Sequence, residues 1–142
     1  MPEIDDFIDY ELHPIGLIHS PIKRREDAPS QGGEGAPDAW LDINSAVAEG
    51  LEGIAPGDEL IVITWFHKSQ RDVLKLHPRW DITIPLTGVF ATRSPDRPNP
   101  LGLHRVTVLE IDGARLRVGP IEAIDGTPII DIKPVLSQSA DS

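Results

Sequence analysis

Residues 92–106 read TRSPDRPNPLGLHRV, and their types and spacing suit rigid recognition of a polar ligand. Pro95, Pro98 and Pro100 fix φ and push the residue before each into extended geometry, so Ser94, Arg97 and Asn99 have little freedom left to lose on binding. Arg93 and Arg97 bring forked, permanently charged donors suited to a carboxylate or phosphate. Asn99 donates and accepts at once, as an adenine edge or an amino-acid group requires. Gly102 lets backbone or ligand approach closely. On residue types alone, a proline-rich connector whose arginines pair with surface acids is an equal alternative.

A second segment, DGTPIIDIKP, starts with a tight turn at Asp125 and Gly126 and places Asp131 and Lys133 on one side of a strand by alternation with Ile130 and Ile132. An acid and a base on one face form either a salt bridge or part of a site, and structural ion pairs are the commoner case. The histidines, His13, His19, His67, His77 and His104, show no HxxH or HExxH spacing, so no metal site is expected. His104 follows the rigid loop, where a neutral imidazole can contact a ligand or act as a base, or simply be half-buried. Trp40, Trp65 and Trp80 can stack on a base or fill the core, and Trp65, inside an apolar run, reads as core.

The elements that must position these groups are mostly strands. Residues 1–11 read as a loosely ordered acidic tail, and the domain as residues 12–142. LHPIGLIHSP reads as a first strand, IKRREDAPSQGGEGAPDAW begins as a long glycine- and proline-rich loop, and AWLDI is a short strand. NSAVAEGLEGI predicts a short helix capped by Asn44 or Ser45, with Val47, Leu51 and Ile54 on one face. ELIVITWFH is β-branched and apolar, as a buried central strand is. Residues 68–85 are mixed and suit a second long loop. LTGVFATR, HRVTVLEI and ARLRVGPIEAI predict a meander, with Asp112 and Gly113 as a hairpin turn, and TPIIDIKPVL a last short strand. No alternation of strands with long helices appears. The expected fold is all-β, mainly β with one short helix, closed into a small single-domain barrel, because closure removes exposed edges.

Composition narrows the partners. The 142 residues contain no cysteine, so thiol chemistry, disulfides and cysteine-based zinc sites are excluded. The formal net charge of −10 opposes tight, non-specific nucleic-acid binding, although Lys23–Arg25 and the group Arg71, Lys75 and Arg79 are local basic clusters. The acidic start, MPEIDDFIDYEL, lacks a basic n-region followed by an apolar run, and no apolar run approaches the roughly 20 residues of a membrane helix. The expectation is a cytoplasmic protein with no membrane partner.

GVFATRSPDRPNPLGL, followed by IDGTPIIDIKP, with PIGLIHSP and APSQ upstream, resembles the TsaA-like (YaeB-like) family from about His13 to Leu136. That family includes bacterial enzymes that N6-methylate threonylcarbamoyladenosine in tRNA. The resemblance implies a small barrel, unlike a Rossmann methyltransferase, that binds S-adenosyl-L-methionine and is usually a homodimer with the cofactor pocket near the interface, with tRNA as the implied partner. It also implies a pocket lined by Arg93, Arg97, Asn99, Pro100, Gly102 and Leu103 of the proline loop and by Asp125, Gly126, Thr127, Asp131 and Lys133 of the second segment, with Gln31 closing it. Methyl transfer from a sulfonium needs alignment more than strong acid or base chemistry, and His104 or Asp131 is the candidate to take a proton. A non-catalytic, dimeric S-adenosylmethionine-binding or regulatory protein is the alternative. Ser30 stands where Arg is common in the family, Asp96 where an aromatic is common, His104 where Ser or Thr is usual and Val135 where Tyr often follows.

Overall fold

The computed structural model describes residues 9–29 and 35–136. Among the described residues eight strands form: β1 (Gly16–His19), β2 (Ala39–Ile43), β3 (Glu59–Trp65), β4 (Lys75–Leu76), β5 (Thr87–Gly88), β6 (Leu101–Asp112), β7 (Arg115–Gly119) and β8 (Pro128–Pro134). Six of them close a barrel in the order β1-β2-β7-β6-β3-β8, all pairs antiparallel, and β4 and β5 make a separate two-stranded ribbon. The expected β-barrel is therefore present.

Alternation along each strand decides what faces inward. In β3, Leu60, Val62 and Thr64 are buried, whereas Ile61, Ile63 and Trp65 lie on the outer wall. In β6, Gly102, His104, Val106 and Val108 point in, and Leu101, Leu103 and Arg105 point out. Ile18, Leu41, Leu60, Val62, Val106, Leu116, Val118, Ile121 and Ile129 fill the interior. Each fully buried side chain of this kind contributes about 1.5–3 kcal/mol from transfer out of water.

Three expectations need correction. The segment LTGVFATR yields only β5, and Val89–Ala91 turns into a 3-10 helix, so the meander reduces to the β6–β7 hairpin. The last strand, β8, pairs with β1 and β3, which closes the barrel. The short helix forms with Asn44 accepting from the Ala46 amide, but it is 3-10 over Ser45–Leu51, and Val47 is exposed while Leu51 and Ile54 pack on the core. Trp65 is not core: strand parity turns it outward, under the Arg71 guanidinium at 5.0 Å.

Gly102 has a tighter reason to be glycine than ligand approach. A Cβ there would lie 2.4 Å from the Phe66 ring and 2.6 Å from Thr64 Oγ1. The ring of Phe66 meets His104 edge-on at 5.7 Å, and its amide donates to Pro100 O at 2.8 Å. Gly102→Ala is expected to destabilise the fold by about 1–3 kcal/mol through this overlap. Chemical denaturation checks it, and Phe66→Leu in the same chain should recover part of the loss.

Candidate functional site

Antiparallel pairing brings the start of β6, the end of β3, the start of β8, the end of β1 and the start of β2 to one end of the barrel. The proline loop before β6, the Asp125 turn before β8 and the loop after β1 all emerge there, and side-chain bonds tie them together. Asp96 accepts from Arg25 at 2.5 Å and from the Gln70 amide at 2.9 Å, joining three segments. Burial pushes its carboxyl up, but the Arg25 and Gln70 hydrogen bonds outweigh that and hold it below the ordinary range. Asp125 accepts from the Ser20 amide at 2.9 Å, and the Lys23 ammonium stands 3.1 Å away. Its carboxyl is also lowered, first by the Ser20 amide and then, against a burial cost, by Lys23 and His19. Two residues of the basic cluster Lys23–Arg25, Lys23 and Arg25, thus fasten the two acids.

The proline loop is held from within as well. Arg97 folds back to donate to the carbonyls of Thr92, Ser94 and Val89 at 3.0–3.1 Å, so its fork is spent on the loop's own backbone. Arg71 donates to Pro98 O at 2.7 Å and to Asn99 Oδ1 at 3.1 Å while it covers Trp65. Asn99 is exposed and its amide donors have no partner among the described residues; Arg93 is exposed and likewise has no side-chain partner among them. Pro100 is buried.

His104 is the largest departure from the expected site. It is 2% exposed inside the barrel, and both ring nitrogens are engaged, Nε2 with Thr64 Oγ1 at 2.7 Å and Nδ1 with Glu122 Oε1 at 2.6 Å. A base must reach the proton it takes, and an imidazole with both nitrogens committed in the core does not offer that. Thr127 is likewise buried, with its hydroxyl on Ile124 O, and Gly126, at φ +80°, makes the turn.

Asp131 and Lys133 are exposed on the outer face of β8. No ion pair links them among the described residues, so the salt-bridge reading fails; Asp131 Oδ1 accepts only from the following amide, Ile132 N, at 2.9 Å. Strand register sets them beside the proline loop's exit. Asp131, Ile63 and Leu103 form one row across β8, β3 and β6; Lys133, Ile61 and Arg105 form the next. On the other side of the first row, Trp65 stands beside Leu101, two residues from Asn99. Asn99, Leu103, Asp131 and Lys133 therefore frame an apolar strip on one wall. Arg97, His104 and Thr127 do structural work behind it, and Gln31 lies outside the described residues. Among those residues no group of three or more His, Asp or Glu is placed to hold a metal ion.

A second feature sits at the same end. An open cavity of about 420 Å³ is lined by His19, Lys23, Trp40, Arg117 and Asp125 among others. The guanidinium of Arg115 stands 4.7 Å over the Trp40 ring. Sequence reading missed Glu122, Thr64 and the Arg25–Asp96 bond, because pairs so distant in the chain leave no periodic signal.

Residues 17–142 match the family described as the tRNA-methyltransferase O N-terminal domain. A probable S-adenosyl-L-methionine-binding protein of Methanocaldococcus jannaschii is 48% identical over 105 residues, 71% of this chain and 82% of that protein. An S-adenosyl-L-methionine-binding protein of Archaeoglobus fulgidus is 43% identical over 122 residues, 86% of each. A crystal structure of TrmO from Pseudomonas aeruginosa superimposes with a TM-score of 0.74 at 28% identity, over 96% of this chain and 61% of that one. This chain thus spans less than two thirds of that protein's length.

The two lowered carboxyls set a pH dependence. A folded-state value below the unfolded one adds stability that is present above the unfolded value, near 4, and is lost as pH falls through the folded one. Asp96→Asn should therefore cost about 1.5–3 kcal/mol at pH 7, the range for a hydrogen bond to a charged group. The gap from wild type should close in acid. Thermal melts from pH 7 to pH 2 read it directly, with Asp125→Asn expected to behave alike and more weakly because that side chain is partly solvated.

Proposed function

Since the chain belongs to the family of the tRNA-methyltransferase O N-terminal domain, we propose that it binds S-adenosyl-L-methionine on the wall framed by Asn99, Leu103, Asp131 and Lys133 and transfers its methyl group. The acceptor in this reading is an exocyclic amine, the N6 of threonylcarbamoyladenosine in tRNA or a related adenosine, and the active form is a homodimer in the cytoplasm. The observation that carries the reading is the meeting of the proline loop and β8 on one apolar strip.

The residues suit the cofactor's chemistry. Lys133 offers an ammonium to a carboxylate, and the open Oδ2 of Asp131 offers an acceptor to an ammonium or a ribose hydroxyl. The exposed amide of Asn99, with its NH2 donors unspent, can pair with an adenine edge, and Leu103 with Ile63 gives an apolar seat for the ring. Arg93, exposed at the rim, suits a substrate phosphate. When bound, S-adenosylmethionine supplies the methyl from its sulfonium: the S–CH3 bond breaks as the N–CH3 bond forms. Asp131 is the exposed carboxylate at the strip, and it takes the proton that the amine loses. Holding donor and acceptor in line on a wall with little freedom to relax supplies most of the rate.

A second reading, binding without transfer in a regulatory protein, draws on the relatives named for binding alone and on the burial of His104, which leaves the strip without an imidazole base. Calorimetric titration with S-adenosylmethionine and S-adenosylhomocysteine, followed by a labelled-methyl assay on bulk tRNA and on a metabolite pool, separates the two. Transfer is the expected result. Lys133→Ala and Asn99→Ala should each weaken cofactor binding about tenfold or more, with thermal stability unchanged because both side chains are exposed. Wild-type affinity in both variants would place the pocket elsewhere, and tight binding without any acceptor would favour the regulatory reading.

A further inference from the structure

Of the three tryptophans, two are covered: Arg71 lies over Trp65 at 5.0 Å and Arg115 over Trp40 at 4.7 Å. Trp80 is 84% exposed. It stands at the tip of an arm, residues 68–93, that leaves the barrel after β3, runs through the β4–β5 ribbon and returns before the proline loop. Phe90, 78% exposed, marks the arm's return, and Leu74, Ile82 and Leu86 are exposed on the same segment.

The arm is held so as to present these rings. Arg79 at φ 57° and Trp80 at φ 61° occupy the left-handed region, which non-glycine residues hold where the surroundings impose it. Those surroundings are the turn's own bonds: Trp80 N donates to His77 O, Asp81 N to Pro78 O, and the His77 ring Nδ1 to Ile84 O at 2.8 Å. At the base, Val89 N donates to Leu74 O and Arg97 to Val89 O, while Arg71 bonds Pro98 O and Asn99 Oδ1. A ring already ordered in this way has little freedom left to lose on stacking.

Charge selects the partner. Residues 68–93 carry five Lys and Arg against two Asp, leaving eight of the chain's 13 Lys and Arg, and 21 of its 23 Asp and Glu, for the rest. Lys68, Lys75 and Arg93 are exposed and have no acidic partner among the described residues. A polyanion is thus drawn to the arm and repelled by the body. Cations interleaved with exposed aromatic rings suit a single strand, whose phosphates the cations track and whose unpaired bases stack on the rings. A duplex keeps its bases stacked on one another and offers none to the rings.

We propose that the arm is a docking surface for an unpaired nucleic-acid strand, with bases on Trp80 and Phe90 and phosphates along Lys68, Lys75 and Arg93. This contact does not depend on methyl transfer at the β8–β3–β6 wall. Joined to that reading, it makes the arm the element that selects a nucleotide exposed in a loop, beside the proline loop that anchors the arm's base.

The test is fluorescence anisotropy of the full chain with a labelled, unstructured strand of about 12 nucleotides, made as RNA and as DNA, and with the matching RNA duplex. Binding of either strand more tightly than the duplex supports the inference, and the ratio of the two says which polymer the arm meets. Each phosphate neutralised on a single strand contributes about −0.7 to the slope of log K against log salt, so the three cations predict about −2, and Lys75→Ala should flatten it by about 0.7. Trp80→Ala and Phe90→Ala should each weaken strand binding about tenfold, with melting temperature and S-adenosylhomocysteine affinity unchanged. No binding at low salt, a preference for the duplex, or full affinity in both ring variants would overturn the inference. So would ring variants that keep strand affinity but lose solution mass or binding to phosphatidylserine vesicles, since the arm would then be a self-association or membrane surface. A wild type that binds the strand but no S-adenosylhomocysteine would keep this inference and overturn the cofactor reading.

Discussion

Closure of the barrel through the β1–β8 pair is the constraint on which the rest of the molecule depends. Once β8 completes the ring, every barrel strand has one face committed to a packed interior and one face left for anything else. Gly126 N on Ile18 O and Ile18 N on Thr127 O, at 2.7 and 3.0 Å, lock that seam, and they fix the Asp125 turn in doing so. The polar side chains trapped inside, His104, Thr64 and Thr127, satisfy one another, the nearby Glu122 or a backbone carbonyl, as buried polar groups must. Chemistry toward a ligand is then left to the outer walls and to the loops at the barrel's ends.

The proline loop shows how such a surface is kept stiff without a helix or a metal. Its prolines restrict the backbone, Arg97 clamps three of its carbonyls, and Asp96 ties it to two other segments. Ordering costs that flexible loops meet on binding have been met here on folding. Arg97, one of the two arginines that look ligand-like in the sequence, is used for this purpose, and the exposed groups that remain, Asn99, Arg93 and Lys133, are those with bonding capacity to spare.

Much of this was legible in the sequence, for identifiable reasons. AWLDI, ELIVITW and PIIDIKP read as strands, and the Asp112–Gly113 turn gave the β6–β7 hairpin, because these signals are local. The parity that put Asp131 and Lys133 on one side of β8 was also local. What escaped was set by tertiary contact. The fate of LTGVFATR as a ribbon end and a 3-10 turn depends on Arg97 and Leu74 bonding Val89, and the burial of His104 depends on Glu122 reaching it from beyond β7. Trp65 misled because an apolar, β-branched run hides which parity faces inward until both neighbouring strands are known.

Hydrogen exchange on the full chain, with and without saturating S-adenosylhomocysteine, tests the central claim most directly, since the barrel has two rival faces at one end. Slowed exchange in residues 97–103 and 129–134 is the expected result, because the ligand then covers the start of β6 and the length of β8. Protection confined to residues 19–23 and 38–41, around the cavity lined by His19, Lys23 and Trp40, would contradict the account and move the site to the opposite wall.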